Sequence, residues 1–291
     1  MSLKHFVPSF AVLLALLFDT SGAAADSPVG IVLRADCRGH RCQVTRGVAV
    51  LLVQPLMPLY IGDIVAAGGG RIVIVTSDKR KIDLSNQNPR VTIGEPKGSD
   101  GMLARFASNI ASEFSPQSFS DSSASARLAS IEPPAALELC FHHPANMDLK
   151  IAAGMRPIVI ATRGGIGPLQ LQVPTTTGQR SQPIGASAMT MPVSQVMELV
   201  PGKRTIEIHD VGAGTMLPLP LNIMGRSDVP VMPDSMKLST LTPHDAAILR
   251  LAWLANQDGG IWSIEALAEA AELPFEAPAP DEFLQGCQSS Q

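Results

Sequence analysis

Residues 71–84 read RIVIVTSDKRKIDL. Apolar residues recur at every second position, which sends side chains to alternate faces of an extended chain. Ile72 and Ile74 fall on one face, and Ile82 and Leu84 rejoin it after the polar SDKR at 77–80. Two alternating runs around four polar residues predict a β-hairpin with its turn at 77–80. Working outward, CQVTRGVAVLL (42–52), PLYIGDIVAAGGG (58–70) and PRVTIG (89–94) repeat the pattern of short β-prone runs closed by turn residues. The stretch from Gly30 to Gly94 therefore reads as a β-domain, with bounds at 26–96.

The run VTRGVAVLL…LYIGDIVAAGGGRIVIVTSDKRKIDLS resembles the FecR-type exported β-domain. The likeness rests on Gly62-Asp63-Ile64-Val65, the strand Ile72-Val73-Ile74 and the closing Ile82-Asp83-Leu84. Two departures matter. The family places Asp-Gly in the hairpin turn, where this chain has Asp78-Lys79, and lysine does not favour the positive φ that such a turn needs. Members that resemble FecR itself place a sigma-regulating segment and a membrane span before this domain, so relay of a signal across the membrane is not implied here. Gly62-Asp63 reads as a turn, with glycine supplying the permissive φ and aspartate bonding nearby backbone N–H groups.

The N-terminus, MSLKHFVPSFAVLLALLFDTSGAAADSP, has a basic start at Lys4, an apolar run from Phe10 to Phe18 and small residues at Ala23 and Ala25. That is the pattern of a secretory signal peptide over residues 1–25. The apolar run is shorter than the roughly 20 residues that span a bilayer, so no transmembrane segment is expected after cleavage. Export to the periplasm or beyond follows. The net charge of −4 is unchanged by loss of Lys4 and Asp19, and it gives no basic surface for nucleic acid. Charged residues make up 16% and apolar residues 45%, enough to bury a substantial core.

Export decides how DCRGHRC (36–42) is read. Thiols outside the cytoplasm are usually paired, so Cys37 and Cys42 are expected to form a disulfide, with RGHR closing a hairpin between alternating flanks. The rival reading gives Asp36, Cys37, His40 and Cys42 to zinc, but no second ligand pair accompanies them at zinc-site spacing. Cys140 and Cys287 then remain as each other's partners.

Residues 97–131 turn serine-rich and lose the alternation, which marks a linker; within it Met102, Leu103, Phe106, Ile110 and Phe114 recur at helical spacing. Short strands resume over 132–233 (LELCF, MDLKIA, RPIVIAT, LQLQV, TIEIHD, MLPLPLNI) and suggest a β-sandwich. The segment LVPGKRTIEIHDVGAGTMLPLPLNI resembles the closing hairpin of Ig-like or fibronectin-like domains. Residues 234–291 read as a helical hairpin with a C-terminal tail: Thr242 caps the first helix with Pro243 at its first position, Gly259-Gly260 ends it, and Ser263 caps the second. Ile248, Leu251, Ala252 and Ala255 are expected to face Ile264, Leu267, Ala268 and Ala271, with Trp253 and Trp262 sealing the helices against the sandwich.

Motifs that carry chemistry are sparse. RGGIGP (163–168) and VGAGTM (211–216) are followed by prolines rather than a helix start, so both read as turns and not as dinucleotide loops. His142 and His143 point to opposite faces in a β-prone segment. His209-Asp210 ends a strand without a nucleophile placed for it. Met189 and Met191 invite a copper reading, but with Met197, Met216, Met224 and Met232 they fit apolar gap-filling better. Glu265, Glu269 and Glu272 would repel phosphates from the second helix.

The whole reads as mainly β: a FecR-like domain, an Ig-like sandwich and a helical hairpin. The function expected is that of a non-enzymatic binding or scaffold protein of the envelope, needing no cofactor, whose partner is an envelope protein or cell-wall component met at sheet edges. A hydrolase is the alternative and a periplasmic metal or copper binder the third reading. Intact-mass measurement of the exported protein should show a chain that starts just after Ala25; a chain still starting at Met1 or Ser2 would rule out cleavage at this point.

Overall fold

The computed structural model describes residues 27–37, 39–98, 101–113, 138–139, 147–160, 162–163, 168–175, 178–184 and 193–273. The signal segment, Cys140, Cys287, His142, His143, Met189 and Met191 lie outside them.

The first unit contains β1 (Gly30–Asp36), β2 (Gln43–Arg46), β3 (Ala49–Leu52), β4 (Pro58–Leu59), β5 (Ile64–Ala66), β6 (Arg71–Thr76), β7 (Lys81–Leu84) and β8 (Arg90–Thr92). They form two four-stranded sheets, in the orders β4-β1-β6-β7 and β3-β2-β5-β8. Val32, Ile72, Ile74 and Leu84 of the first sheet meet Val44 and Val65 of the second, and Ile93 just after β8, in one core, with Ile82 packed at its margin. The hairpin expected at 71–84 is present, with Ile72 opposite Leu84 and Ile74 opposite Ile82. Its turn puts Lys79 at φ 64, the left-handed position where an Asp-Gly turn would put glycine. Asp78 holds that turn by accepting from Thr76 Oγ1 at 2.5 Å, Arg80 Nε at 2.7 Å and the Lys97 N–H at 3.0 Å.

Alternation does not leave the other face of β6 wet. Val73 and Val75 are as buried as Ile72 and Ile74, and with Ile31 and Leu33 of β1 they pack under helices. These are α1 (Gly101–Glu113), which buries Leu103, Phe106 and Ala107, and α2 (Pro243–Ala255), which buries Ile248, Leu249 and Ala252. The amphipathic spacing read in the linker thus does form a docked helix. Each apolar side chain taken out of water contributes about 1.5–3 kcal/mol, so this second face is a large share of the unit's stability.

Cys37 and Cys42 are bonded, with Cα atoms 5.8 Å apart. They do not close a hairpin, because β1 pairs with β4 and β6 while β2 pairs with β3 and β5. The bridge instead staples the corner where the chain crosses from one sheet to the other. Alternating flanks are compatible with either arrangement, and pairing partners far along the chain decide it. The corner rides on Gly68-Gly69-Gly70: a Cβ at Gly68 would lie 2.0 Å from the Arg41 carbonyl oxygen, and one at Gly70 would lie 2.5 Å from that of Asp36.

The second unit holds β9 (Glu138–Leu139), β10 (Leu149–Ala152), β11 (Gly154–Val159), β12 (Thr162–Arg163), β13 (Leu169–Thr175), β14 (Gly178–Ile184), β15 (Val193–Leu199), β16 (Gly202–Asp210) and β17 (Thr215–Met224). A five-stranded sheet, β10-β17-β16-β13-β14, faces the pair β11-β15, and β9 pairs with β12. VGAGTM is the turn of the β16–β17 hairpin, as read from its glycines. Pro218 and Pro220 of β17 have no N–H to offer a second neighbour, and β10 pairs with β17, in parallel, only from Leu221 onward.

The third helix, α3 (Ser263–Glu272), gives Ile264 and Ala268 to the core of the second unit, beside Leu149, Ile151, Ile158 and Ile223. The two C-terminal helices therefore do not simply face one another through Ile248, Ala252, Ile264 and Ala268: α2 serves the first unit, while α3 gives Ala266 to that same core and Ile264 and Ala268 to the second. Trp253 and Trp262 likewise belong to the core beneath the first unit and not to a seal on the sandwich; Lys150 of the second unit sets its Nζ 5.2 Å from the Trp262 ring centre. Thr242 caps α2 as expected, its Oγ1 accepting from the Asp245 N–H at 3.1 Å. Ser263 does not cap α3; its hydroxyl donates to the carbonyls of Ala255 and Gly260 and ties the two helices together.

Buried charges reinforce both sides of this hairpin. Asp245 on α2, without exposure, lies 3.6 Å from Arg34 of β1 and 3.5 Å from Lys81 of β7. Glu265 on α3, equally buried, accepts from the Ala152 N–H at 2.7 Å and from Arg156 Nη1 of β11, and Arg156 Nε also donates to Glu272 at 3.0 Å. Arg250 of α2 pairs with Glu269 of α3. The three glutamates expected to repel phosphate are instead paired with arginines. Burial holds the Glu265 carboxyl above the ordinary carboxylate range, against the opposing pull of the Ala152 N–H and Arg156.

Gly68→Ala should lower stability by about 2–4 kcal/mol in urea unfolding, from the left-handed φ and the clash with Arg41, whereas Gly94→Ala, with open space around it, should be near neutral. Glu265→Ala should cost about 3 kcal/mol or more by leaving Arg156 with less compensation. A carboxyl raised in the folded state binds its proton more tightly there, so the stability it contributes is present at acid pH and falls as pH rises through its folded value. Urea midpoints of Glu265→Gln should accordingly gain on the parent as pH rises from the ordinary carboxylate range; a variant that loses ground as pH rises would contradict the assignment.

Candidate interaction surface

The β2–β3 hairpin turns on the two residues Gly47-Val48, with Gly47 at φ 57 in the first central position. That geometry fits a tight hairpin turn with glycine at its first central position. Across the ladder Val44 pairs with Leu51 and Thr45 with Val50. Leu51 therefore shares the inward face with Val44, while Val50 and Leu52 share the outward face with Thr45 and Gln43. Val48 is fully exposed, Val50 is 62% exposed and Leu52 73% exposed.

Backbone valences follow the same alternation. A two-residue loop makes Arg46 and Ala49 a hydrogen-bonded pair, and bonded pairs recur every second residue, at Val44 and Leu51. The N–H and C=O of Val50 and Leu52 therefore point away from β2. Among the described residues β3 pairs with β2 alone, so these groups line an open sheet edge. The other edges of the two sheets are blunted: β4 is two residues long and contains Pro58, β7 carries Lys81 and Asp83, and β8 carries Arg90. β3 carries no charge at all.

The turn end of the hairpin is braced. Arg46 donates through Nε and Nη2 to the Asp63 carboxylate at 3.0 and 2.8 Å, through Nη2 to the Pro58 carbonyl at 2.9 Å, and stacks 4.2 Å from the Tyr60 ring centre. Asp63 is 1% exposed and also accepts from the Tyr60 N–H at 2.9 Å. The Gly62-Asp63 turn is present, with Gly62 at φ 88, but the main partner of Asp63 is Arg46, 17 positions away. An arginine set beside the Gly47 turn was the one signal in the sequence that pointed there.

Two concave sites lie elsewhere among the described residues. A cleft of about 540 Å³ is lined by Asp36, His40, Ser85 and neighbouring residues of the glycine run and of 85–87. It assembles the residue types of a hydrolytic relay without the relay: Ser85 Oγ accepts from the Gln87 N–H at 3.3 Å, and among the described residues no hydrogen bond joins His40 to Asp36 or to Ser85. A second cavity, about 450 Å³, lies over the ion pairs of Arg156, Arg250, Glu265, Glu269 and Glu272, with Arg226 and Val229–Val231 opposite.

His209 meets Glu207 at 3.1 Å, and Asp210 accepts from the N–H groups of Gly212 and Ala213 at 3.0 Å each, closing the β16–β17 turn. Met232 is buried, and Met197 and Met224 pack at core margins, as gap-filling predicts, but Met216 is more than half exposed. Among the described residues no three His, Cys, Asp or Glu side chains are grouped to hold a metal ion, and no helix is long and apolar enough to cross a membrane. No family model, curated protein or solved structure matches the chain.

Proposed function

We propose that this is an exported, non-enzymatic binding module of the bacterial envelope, with a FecR-like first unit and an Ig-like second unit, that takes an extended segment of a partner protein onto the edge of β3. The support is the uncharged edge itself, where free backbone groups and outward apolar side chains fall on the same residues, Val50 and Leu52. Strand addition needs both: main-chain hydrogen bonds supply affinity, and alternate side chains supply selectivity. A protein partner suits this edge better than a glycan, because a glycan lacks the regular row of amides that an open ladder would pair with, and the chain is poor in aromatic platforms, at 4%. The hydrolase reading would need the Asp36, His40 and Ser85 cleft to carry a linked acid, imidazole and hydroxyl.

A synthetic peptide of alternating valine and threonine, titrated into the isotopically labelled protein, should shift and protect the backbone amides of Val50 and Leu52. Val50→Asp should weaken that binding by at least about tenfold, since it puts an unpaired charge in the strand interface. Absence of any perturbation on β3, or perturbation centred on the Asp36 and His40 cleft, would overturn the proposal.

A further inference from the structure

We infer that the segment taken up by β3 is β3 of a second copy, so that two chains join their sheets edge to edge about a twofold axis. The inference rests on the strand-addition reading above and names the partner. Long or apolar open edges are guarded in soluble proteins by charge, proline or brevity. Three of the four edges in the first unit carry such guards, and β3 does not.

Self-pairing also fits the side chains. A twofold axis perpendicular to the sheet keeps outward residues outward, so β3 meets its copy antiparallel with Val50 and Leu52 on the same side and the exposed Val48 of the adjoining turn at its end. The register that engages all three apolar positions sets Val50 opposite Val50 of the copy and Leu52 opposite Val48 of the copy. Its central bonds use the N–H and C=O of Val50, groups that β2 leaves free, and the flanking pairs set Leu52 against the turn residue Val48 of the copy. A register slipped by two residues would leave Val48 without an apolar partner. The product is a continuous eight-stranded sheet, β8-β5-β2-β3 followed by its mirror order, with both copies of the Arg46–Asp63 brace beside the junction.

Analytical ultracentrifugation of the oxidised chain should give twice the chain mass, and Val50→Asp, which places two like charges face to face at the axis, should give the single-chain mass. Because Val50 is exposed, that variant should keep the parent's circular dichroism. Cysteine placement tests the register independently. Residues facing one another in a bonded antiparallel pair lie about 5.5 Å apart, inside disulfide range, so Val50→Cys should cross-link to its own copy. Leu52→Cys should not, being about 13 Å from its equivalent. A parent that stays single-chain yet takes up the valine-threonine peptide on β3 would sink the self-pairing and leave strand addition standing. A single-chain parent that ignores the peptide would sink both. A dimer that survives Val50→Asp, or that cross-links through Leu52→Cys and not Val50→Cys, would place the interface or its register elsewhere.

Discussion

The sheet made by β1 and β6 is apolar on both faces, and that constraint organises the molecule. Ile72 and Ile74 need the partner sheet, and Val73 and Val75 need something else. No strand of the first unit is left to cover them. The cover comes from α1 and from α2, the latter more than 160 positions further along the chain. Because α2 is tied to α3 through Ser263 and the Arg250–Glu269 pair, and α3 is embedded in the second unit, one apolar face on β6 ends up coupling all the parts. The ion pairs of Asp245 with β1 and β7 and of Glu265 with β11 join each helix to its sheet. Burying such charges is costly in itself, and breaking one partner leaves the other uncompensated.

This coupling makes sense of the candidate surface. With one sheet of the first unit clamped under helices, the other presents its outer face and its β3 edge to solvent. The disulfide corner and the Arg46–Asp63 brace hold that edge at both ends, Cys42 leading directly into β2 and Arg46 closing the turn into β3. A pre-ordered edge loses little conformational freedom on pairing, which favours association by backbone hydrogen bonds.

Much of the local structure was legible in the residues. The hairpin at 71–84, the glycine turn at 62, the Thr242 cap and the spacing of α1 each follow from short-range rules. The two-faced burial of β6 was present as an uninterrupted apolar run, IVIV, but alternation drew attention to one face only, and nothing local says what lies over the other. The crossing at Cys37–Cys42 was read as a hairpin because a disulfide fixes proximity and not strand partners. Glu265 was read only for the charge it brings to its helix, because its partner Arg156 is 109 positions away. Asp63 was read through its neighbours and not through Arg46 for the same reason. The β3 edge was foreseen only in kind, as a sheet edge, since which strand lies outermost depends on the order of the whole sheet.

If the two-faced sheet is the organising constraint, the segment 26–96 is not self-sufficient, despite its β pattern and its own disulfide. Hydrogen exchange of the Val73 and Val75 amides in that segment expressed alone, compared with the full chain, addresses this directly. The account predicts loss of protection and binding of an apolar dye to the uncovered face of β1 and β6. A segment that folds alone with both amides protected as in the full chain would contradict it.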